Sequence, residues 1–323
     1  MPVKKKEPFY SKILLFGEYT ILTGSMGLTI PFTHFNGQLA NTNDNSYTDL
    51  DFAKRSNNEL REYLHYLNKN ADVVQKIIDI SALENDLAND LFFESSIPES
   101  YGLGSSGALV AAIYSSYAHY PISPDPSLDY AQMNQLKSDL SILESYFHGT
   151  SSGIDPLICY LNHPLCIEDK YHISSVNLPF KKIENGDAIF LLSTEKPGKT
   201  APLVKQFMEK MKIPGFKNIV DTQLIPITNI VINSLIEGKI PEFIKELQSL
   251  SLMQLNHFRE MIPESYIDTW KEGLKSKLFT LKLCGSGGGG YILGFTKEFS
   301  QTKAYFTSCN KEIIPVYLSS KQY

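Results

Sequence analysis

Cysteine is scarce: Cys159, Cys166, Cys284 and Cys309 are the four in 323 residues, and no two of them form a C-x-x-C. That argues against a disulfide scaffold and a zinc knuckle, and a reducing compartment becomes the expectation. No arginine-rich tract is present, and 30 basic side chains against 35 acidic ones leave a net charge of -5. A surface that tracks a nucleic-acid backbone therefore has no compositional support, and a small-molecule partner fits better. Apolar runs are short. None approaches the ~18 residues of a membrane span, and Ile13-Leu14-Leu15-Phe16, which follows Lys4, Lys5 and Lys6, stops at Gly17 before it can serve as an export signal. The expectation is a cytoplasmic protein with no membrane or nucleic-acid partner. With 20 Gly and 17 Pro the chain is not of low complexity, and 42% hydrophobic with 20% charged residues is an ordinary globular balance. At roughly 150 residues per domain, the length predicts about two domains with room for buried cores.

Residues 12–16 read as a buried strand, and Gly27-Leu28-Thr29-Ile30-Pro31 as a second strand ended by its proline. The polar stretch 41–58 predicts a loop or an irregular edge. Leu60, Leu64, Leu67, Val73, Val74, Ile77 and Ile78 recur at helical spacing, which predicts amphipathic helix over 58–80 with an apolar face in the core. Further helices are predicted over 127–146, 202–211, 222–237 and 240–257. A domain boundary is expected at Glu184-Asn185-Gly186-Asp187, dividing 1–184 from 185–323, because β-structure restarts directly afterwards at Ala188.

Three constellations carry chemistry. Gly102-Leu103-Gly104-Ser105-Ser106-Gly107 leads into a helix of small residues. Glycines let successive N–H groups converge and the helix adds its positive end, which makes an anion site suited to phosphates; a Gly-Ser loop that merely caps a helix is the alternative. The run is not a Walker A loop, because no lysine follows the glycines, and it is not G-x-G-x-x-G. Glu144 and Asp155 stand eleven positions apart across His148-Gly149-Thr150-Ser151-Ser152-Gly153. A fold-back would aim one carboxylate at a metal and the other at an acceptor hydroxyl, as phosphoryl transfer requires. Taken singly, Glu144 reads as a solvated helix charge, Asp155 as a turn or cap residue, and His148 as a packed or capping histidine. The third is Gly285-Ser286-Gly287-Gly288-Gly289-Gly290 beside a strand. It predicts either a close approach to the backbone or a flexible hairpin tip. Lys12, unaided, reads as a surface lysine.

In order along the chain, Ser11-Lys12-Ile13-Leu14-Leu15-Phe16-Gly17-Glu18-Tyr19, Pro98-x-x-x-Gly102-Leu103-Gly104-Ser105-Ser106, Phe147-His148-Gly149-Thr150-Ser151-Ser152-Gly153-Ile154-Asp155 and Lys282-Leu283-Cys284-Gly285-Ser286-Gly287-Gly288-Gly289-Gly290 resemble the GHMP kinase superfamily. Within it, the F-G-E opening and H-G-x-x-S-G-I-D look like the mevalonate kinase family. The resemblance implies an α+β fold of two domains, the first like ribosomal protein S5 and the second ferredoxin-like, with the active site in the cleft between them. It implies ATP and Mg²⁺, transfer of a phosphoryl group to the hydroxyl of mevalonate or a related alcohol, and a possible homodimer. Carried over residue by residue, Asp155 and Lys12 would be catalytic, and Gly102, Leu103, Gly104, Ser105, Ser106 and Gly107 would hold the nucleotide. Ser106 and Glu144 would hold the metal, and Glu18, Tyr19, His148, Thr200, Gly287 and Gly288 would face the substrate. The sequence departs from the pattern at Tyr19, where mevalonate kinases usually have histidine and phosphomevalonate kinases more often tyrosine. It departs again at Gly107, usually alanine, which is expected to loosen the helix start by up to about 1 kcal/mol.

Overall fold

The computed structural model describes residues 7–44, 47–179, 186–198 and 200–318. In chain order its elements are β1 (Phe9–Phe16), β2 (Gly27–Asn41), α1 (Leu50–Lys69), the single turn α2 (Ala71–Val74), α3 (Ile80–Ala88), β3 (Leu91–Ser95), α4 (Ser105–Tyr117), α5 (Tyr130–His148) and α6 (Ile154–Leu161). They continue as β4 (Leu165–Ile167), β5 (Ile173–Ser175), β6 (Ala188–Ser193), α7 (Thr200–Lys210), α8 (Pro214–Ile219), α9 (Ile225–Ile236), α10 (Ile240–His257), α11 (Ile267–Ser276), β7 (Phe279–Leu283), β8 (Tyr291–Thr296), α12 (Phe299–Ser308) and β9 (Ile313–Leu318). The chain forms two compact units. One comprises Met1–Lys12, Ile30–Pro98 and Leu103–His163; the other comprises Ile13–Thr29, Glu99–Gly102 and Pro164–Tyr323. The boundary expected at 184–187 falls partly on residues 184 and 185, which lie outside the described residues.

In the first unit, the later part of β2 pairs antiparallel with β3, Gly37 opposite Ser95 and Asn41 opposite Leu91. Helix α1 lies on β3, where the Ser56 hydroxyl donates to the Phe93 carbonyl (3.1 Å) and accepts from the Phe93 N–H (3.0 Å). Leu60, Tyr63, Leu67, Phe92, Ile113, Leu136, Leu140, Leu143 and Leu157 fill its core, each large apolar side chain contributing about 1.5–3 kcal/mol on burial. Helix α4 carries small residues on several sides, and Ala108, Ala111 and Ala112 are all buried, so neighbouring backbones approach it closely.

Three expectations for local structure are corrected here. The stretch 50–58 is the start of α1, not loop: the Asp49 carboxylate caps the helix by accepting from the N–H groups of Asp51 (2.8 Å) and Phe52 (3.3 Å). Its inward side chains are Ala53, Ser56 and Asn57, so the apolar period is missing there. The helix expected over 58–80 ends at Lys69, and Asn70 separates it from the next turn. Pro31 does not end β2, which runs on to Asn41. It lies between the segments that pair with β4 (27–29) and β3 (37–41), where the lost N–H takes no ladder bond to either strand.

The second unit contains a four-stranded antiparallel sheet in the order β7-β8-β6-β9. Numbered within this sheet the order is 4-1-3-2 read from β9, the ferredoxin-like arrangement with two crossover helical segments. Helices α10 and α11 pack against β7, and the buried Trp270 donates its indole N–H to the Ser251 hydroxyl at 2.8 Å. By length and apolar composition alone the continuous helical stretch Pro214–Ile236 would suffice to cross a bilayer. Here Val220, Leu224, Val231, Ile232 and Leu235 are buried within the unit, as in a core helix. Pro226 lacks the N–H for a regular helical bond, and the turn just before it, Val220–Leu224, widens to π geometry.

Candidate active site

Strand β1 brings Lys12 against the glycine-rich loop: its backbone N–H donates to the Leu103 carbonyl at 2.9 Å. Gly102 and Gly104 both take positive φ, 74° and 77°, and lead the chain into α4. Gly104 has no side chain with which to cap the helix. The first N–H groups of α4, those of Ser105, Ser106 and Gly107, thus have no side-chain cap and stand at the positive end of the helix dipole, which suits them to holding phosphate.

A second helix start meets the first. Gly153, at φ 74°, begins α6, and Asp155 occupies its first turn. A Cβ built on Gly107 would stand 2.8 Å from the Asp155 carbonyl carbon, so the two helix ends are in backbone contact. The Lys12 ammonium lies 2.9 Å from the Asp155 carboxylate, with the lysine side chain buried and the aspartate 40% exposed. Lys12 is therefore not a surface lysine.

Glu144 is buried near the end of α5. The Ser106 hydroxyl donates to one of its oxygens at 3.3 Å, and the Ser151 hydroxyl donates to the other. Burial, reinforced by the negative charge of Asp155, pushes the Glu144 carboxyl up to about 7; Ser151, Lys12 and Ser106 pull the other way. His148 Nε2 lies 3.3 Å from the Ser106 hydroxyl and 4.0 Å from Glu144, which places it beside this pair. Ser151 also accepts from the Gly153 N–H at 2.9 Å, and its carbonyl accepts from Ser141 at 2.6 Å. These bonds fold the turn back so that both carboxylates belong to one cluster. The thiol of Cys159, 3.8 Å from the Gly104 carbonyl oxygen, is pushed well up by burial.

The remaining residues of interest gather in the second unit. The Tyr19 hydroxyl donates to the Ser286 carbonyl, and the Ser286 hydroxyl donates to Thr200 at 3.1 Å. Burial, and then the neighbouring Glu18, push the Tyr19 phenol upward, so it stays a donor. Gly285, Gly287, Gly288 and Gly290 all have positive φ. Gly288 donates to the Met261 carbonyl and Gly290 to the Lys196 carbonyl, both at 2.6 Å, and a Cβ on Gly289 would lie 2.5 Å from the Pro197 carbonyl. The glycine run is therefore a closely approached loop rather than a free hairpin tip. Glu18 is buried and ion-paired with Lys282, whose ammonium also donates to the Leu283 carbonyl and lies 5.3 Å from the Phe16 ring centroid. The motif that opens at Lys282 assigns that residue no role, although a lysine inside a buried strand is a signal that a buried carboxylate must face it.

Residues 65–163, which hold the loop, Glu144 and Asp155, match the family model of the GHMP kinases N-terminal domain. That segment is a GHMP kinase N-terminal domain by this match. A curated relative, the mevalonate kinase of Archaeoglobus fulgidus, is 26% identical over 241 residues, covering 74% of this chain and 77% of the relative. Among solved structures, the Methanococcus jannaschii mevalonate kinase matches with a TM-score of 0.64 at 17% identity, covering 99% of both chains. The Streptococcus pneumoniae phosphomevalonate kinase in complex with phosphomevalonate and AMPPNP matches with a TM-score of 0.63 at 15% identity, covering 96% of this chain and 99% of that one. These structural likenesses establish the GHMP kinase fold.

The donor set of this site suits Mg²⁺. Among the described residues no group of three or more His, Cys, Asp or Glu could cage a metal, but Mg²⁺ bound together with nucleotide phosphates needs only one or two protein oxygens. Ser106 and Glu144 supply hard oxygens side by side, and a cation there would offset the burial that raises the Glu144 pKa.

Proposed function

We propose that this GHMP kinase transfers the γ-phosphoryl group of ATP to the primary hydroxyl of mevalonate. The observation that carries the reading is the Lys12–Asp155 ion pair set where the starts of α4 and α6 meet, with Ser106 and Glu144 alongside. The mevalonate kinases among its relatives supply the acceptor.

The uncapped N–H groups of α4 and the Ser105 hydroxyl would hold the phosphates. Asp155 would orient the acceptor hydroxyl and take its proton as the oxygen bonds to the γ-phosphorus. The bond from that phosphorus to the β,γ-bridging oxygen breaks, and ADP leaves with the electron pair. Lys12 would stabilise both the developing alkoxide and the charge on the transferring group. Ser106 and Glu144 would hold Mg²⁺, which supplies charge neutralisation on the phosphates. In the second unit, Glu18, Tyr19, Thr200, Gly287 and Gly288 are assigned to acceptor recognition, and His148 of the first unit with them. Both substrates are water-soluble metabolites, and we assign the reaction to the cytoplasm.

A second reading, a phosphomevalonate kinase, rests on Tyr19, which stands where mevalonate kinases usually have histidine. Measuring ADP release with Mg-ATP and either mevalonate or phosphomevalonate separates the two. Turnover with mevalonate alone supports the first reading, and turnover with phosphomevalonate alone replaces it by the second.

A further inference from the structure

A cavity of about 270 Å³ opens in the second unit, and none of the residues assigned to catalysis or acceptor recognition lines it. Phe243, Ile244 and Leu247 of α10 face Ile189, Phe279 and Phe295 of the sheet across it. The wall is firmly packed, with the Phe243 and Phe295 rings 5.8 Å apart and both in contact with Phe16. An apolar cavity of roughly 150 Å³ takes one benzene ring, so this volume corresponds to a ligand of about ten non-hydrogen atoms.

The polar residues on the lining are few. Lys277 and Lys297 are exposed, and neither has an ion-pair partner among the described residues. The Gln248 amide likewise has no hydrogen-bond partner among them. Asp187 also lines the cavity and already has a partner. Two exposed ammonium groups against one engaged carboxylate leave an excess of positive charge on the lining of a mostly apolar pocket. A mostly apolar pocket with a few convergent polar groups is the usual form of a small-molecule site.

We propose that this cavity binds a small amphiphilic carboxylate of about eight carbons, its chain between α10 and the sheet and its head at Lys277, Lys297 and Gln248. The site is separate from the phosphoryl-transfer residues, so it stands or falls independently of the acceptor.

Calorimetric titration and thermal melting of the full chain with octanoate, octanol and octyltrimethylammonium test this, each with and without saturating Mg-ATP. Octanoate is expected to bind saturably at one site and to raise Tm with the logarithm of its concentration above Kd, with octanol weaker and the cationic amphiphile weakest. Mg-ATP should leave that binding in place. Lys277→Glu/Lys297→Glu, which alters exposed residues only, should weaken octanoate at least about tenfold, and Ile244→Trp should abolish binding by filling the chamber. No saturable octanoate binding up to about 1 mM overturns the proposal. So do equal affinity for the cationic amphiphile, displacement by Mg-ATP, or full affinity in the double lysine variant.

Discussion

Gly107 of α4 lies against the backbone of Asp155 in α6 so closely that a single added carbon would stand 2.8 Å from the Asp155 carbonyl carbon and 3.0 Å from its oxygen. The glycine that the sequence marks as a weak helix residue is, in the fold, what lets the proposed base approach the phosphate loop. Gly107→Ala gains up to about 1 kcal/mol of helix propensity, but it forces α6 outward. Displacements of about 1 Å at a reacting group cost on the order of a hundredfold in rate. The variant is expected to keep its Tm within a few degrees and lose about 10- to 100-fold in kcat. Full activity would show that the contact does not position Asp155.

Lys12→Met removes the ammonium 2.9 Å from Asp155. Asp155 is substantially exposed, so the pair adds little to stability, and thermal melting should move only slightly. Loss of a charge that acts on the transition state costs about 10²- to 10³-fold, so kcat should fall by that order while ATP still binds. A variant that melts much earlier yet turns over normally would assign Lys12 to structure alone.

The raised pKa of Glu144, about 7 in the fold against an ordinary 4.5, makes the metal-free protein pH-sensitive. The folded state holds this proton more tightly than the unfolded chain, so its contribution to stability is fully present below about 4.5 and is lost as pH rises through 7. Glu144→Gln escapes that loss. Without metal, its Tm relative to the parent is expected to increase between pH 5 and pH 8, by no more than about 3 kcal/mol in stability, while activity disappears. Thermal melts across this range check it; a difference that does not grow with pH would show that burial of Glu144 carries no ionisation cost.

Lys282→Met leaves the Glu18 carboxylate buried without its cation. Removing one partner of a buried pair typically costs about 3–5 kcal/mol. The double variant Glu18→Gln/Lys282→Met should recover a large part of that loss. Urea unfolding of the single and double variants gives the coupling directly, and strictly additive losses would contradict it.

The site was legible in the sequence where its chemistry depends on short-range spacing. The turn 102–107 and the fold-back from Glu144 to Asp155 each lie within a dozen residues, and glycines mark both helix starts. Residues joined only by the fold were not legible. Glu18 and Lys282 are 264 positions apart, and although a lysine inside a buried strand calls for a carboxylate, nothing in the chain says which one. Lys12 reads as a surface lysine without the resemblance, because nothing near it in the chain shows that Asp155 will face it. Among the elements, the strand that opens the second half showed itself through its apolar run over 188–192, whereas the ferredoxin-like order followed only from the resemblance. The start of α1 did not show itself, because a capping Asp49 and inward polar side chains replace the apolar period there. The two units also interleave along the chain, an arrangement that a composition shift does not reveal.

The most direct test of the central claim is ADP release with Mg-ATP and mevalonate, with Asp155→Asn measured beside the parent chain. Replacing the carboxylate by an isosteric amide leaves an exposed first-turn residue of α6 in place and removes its ability to take the hydroxyl proton. The account predicts mevalonate-dependent turnover in the parent, reduced at least about a thousandfold in Asp155→Asn with ATP binding retained. Turnover that survives the substitution, or tight ATP binding in the parent with no turnover on mevalonate, would contradict it.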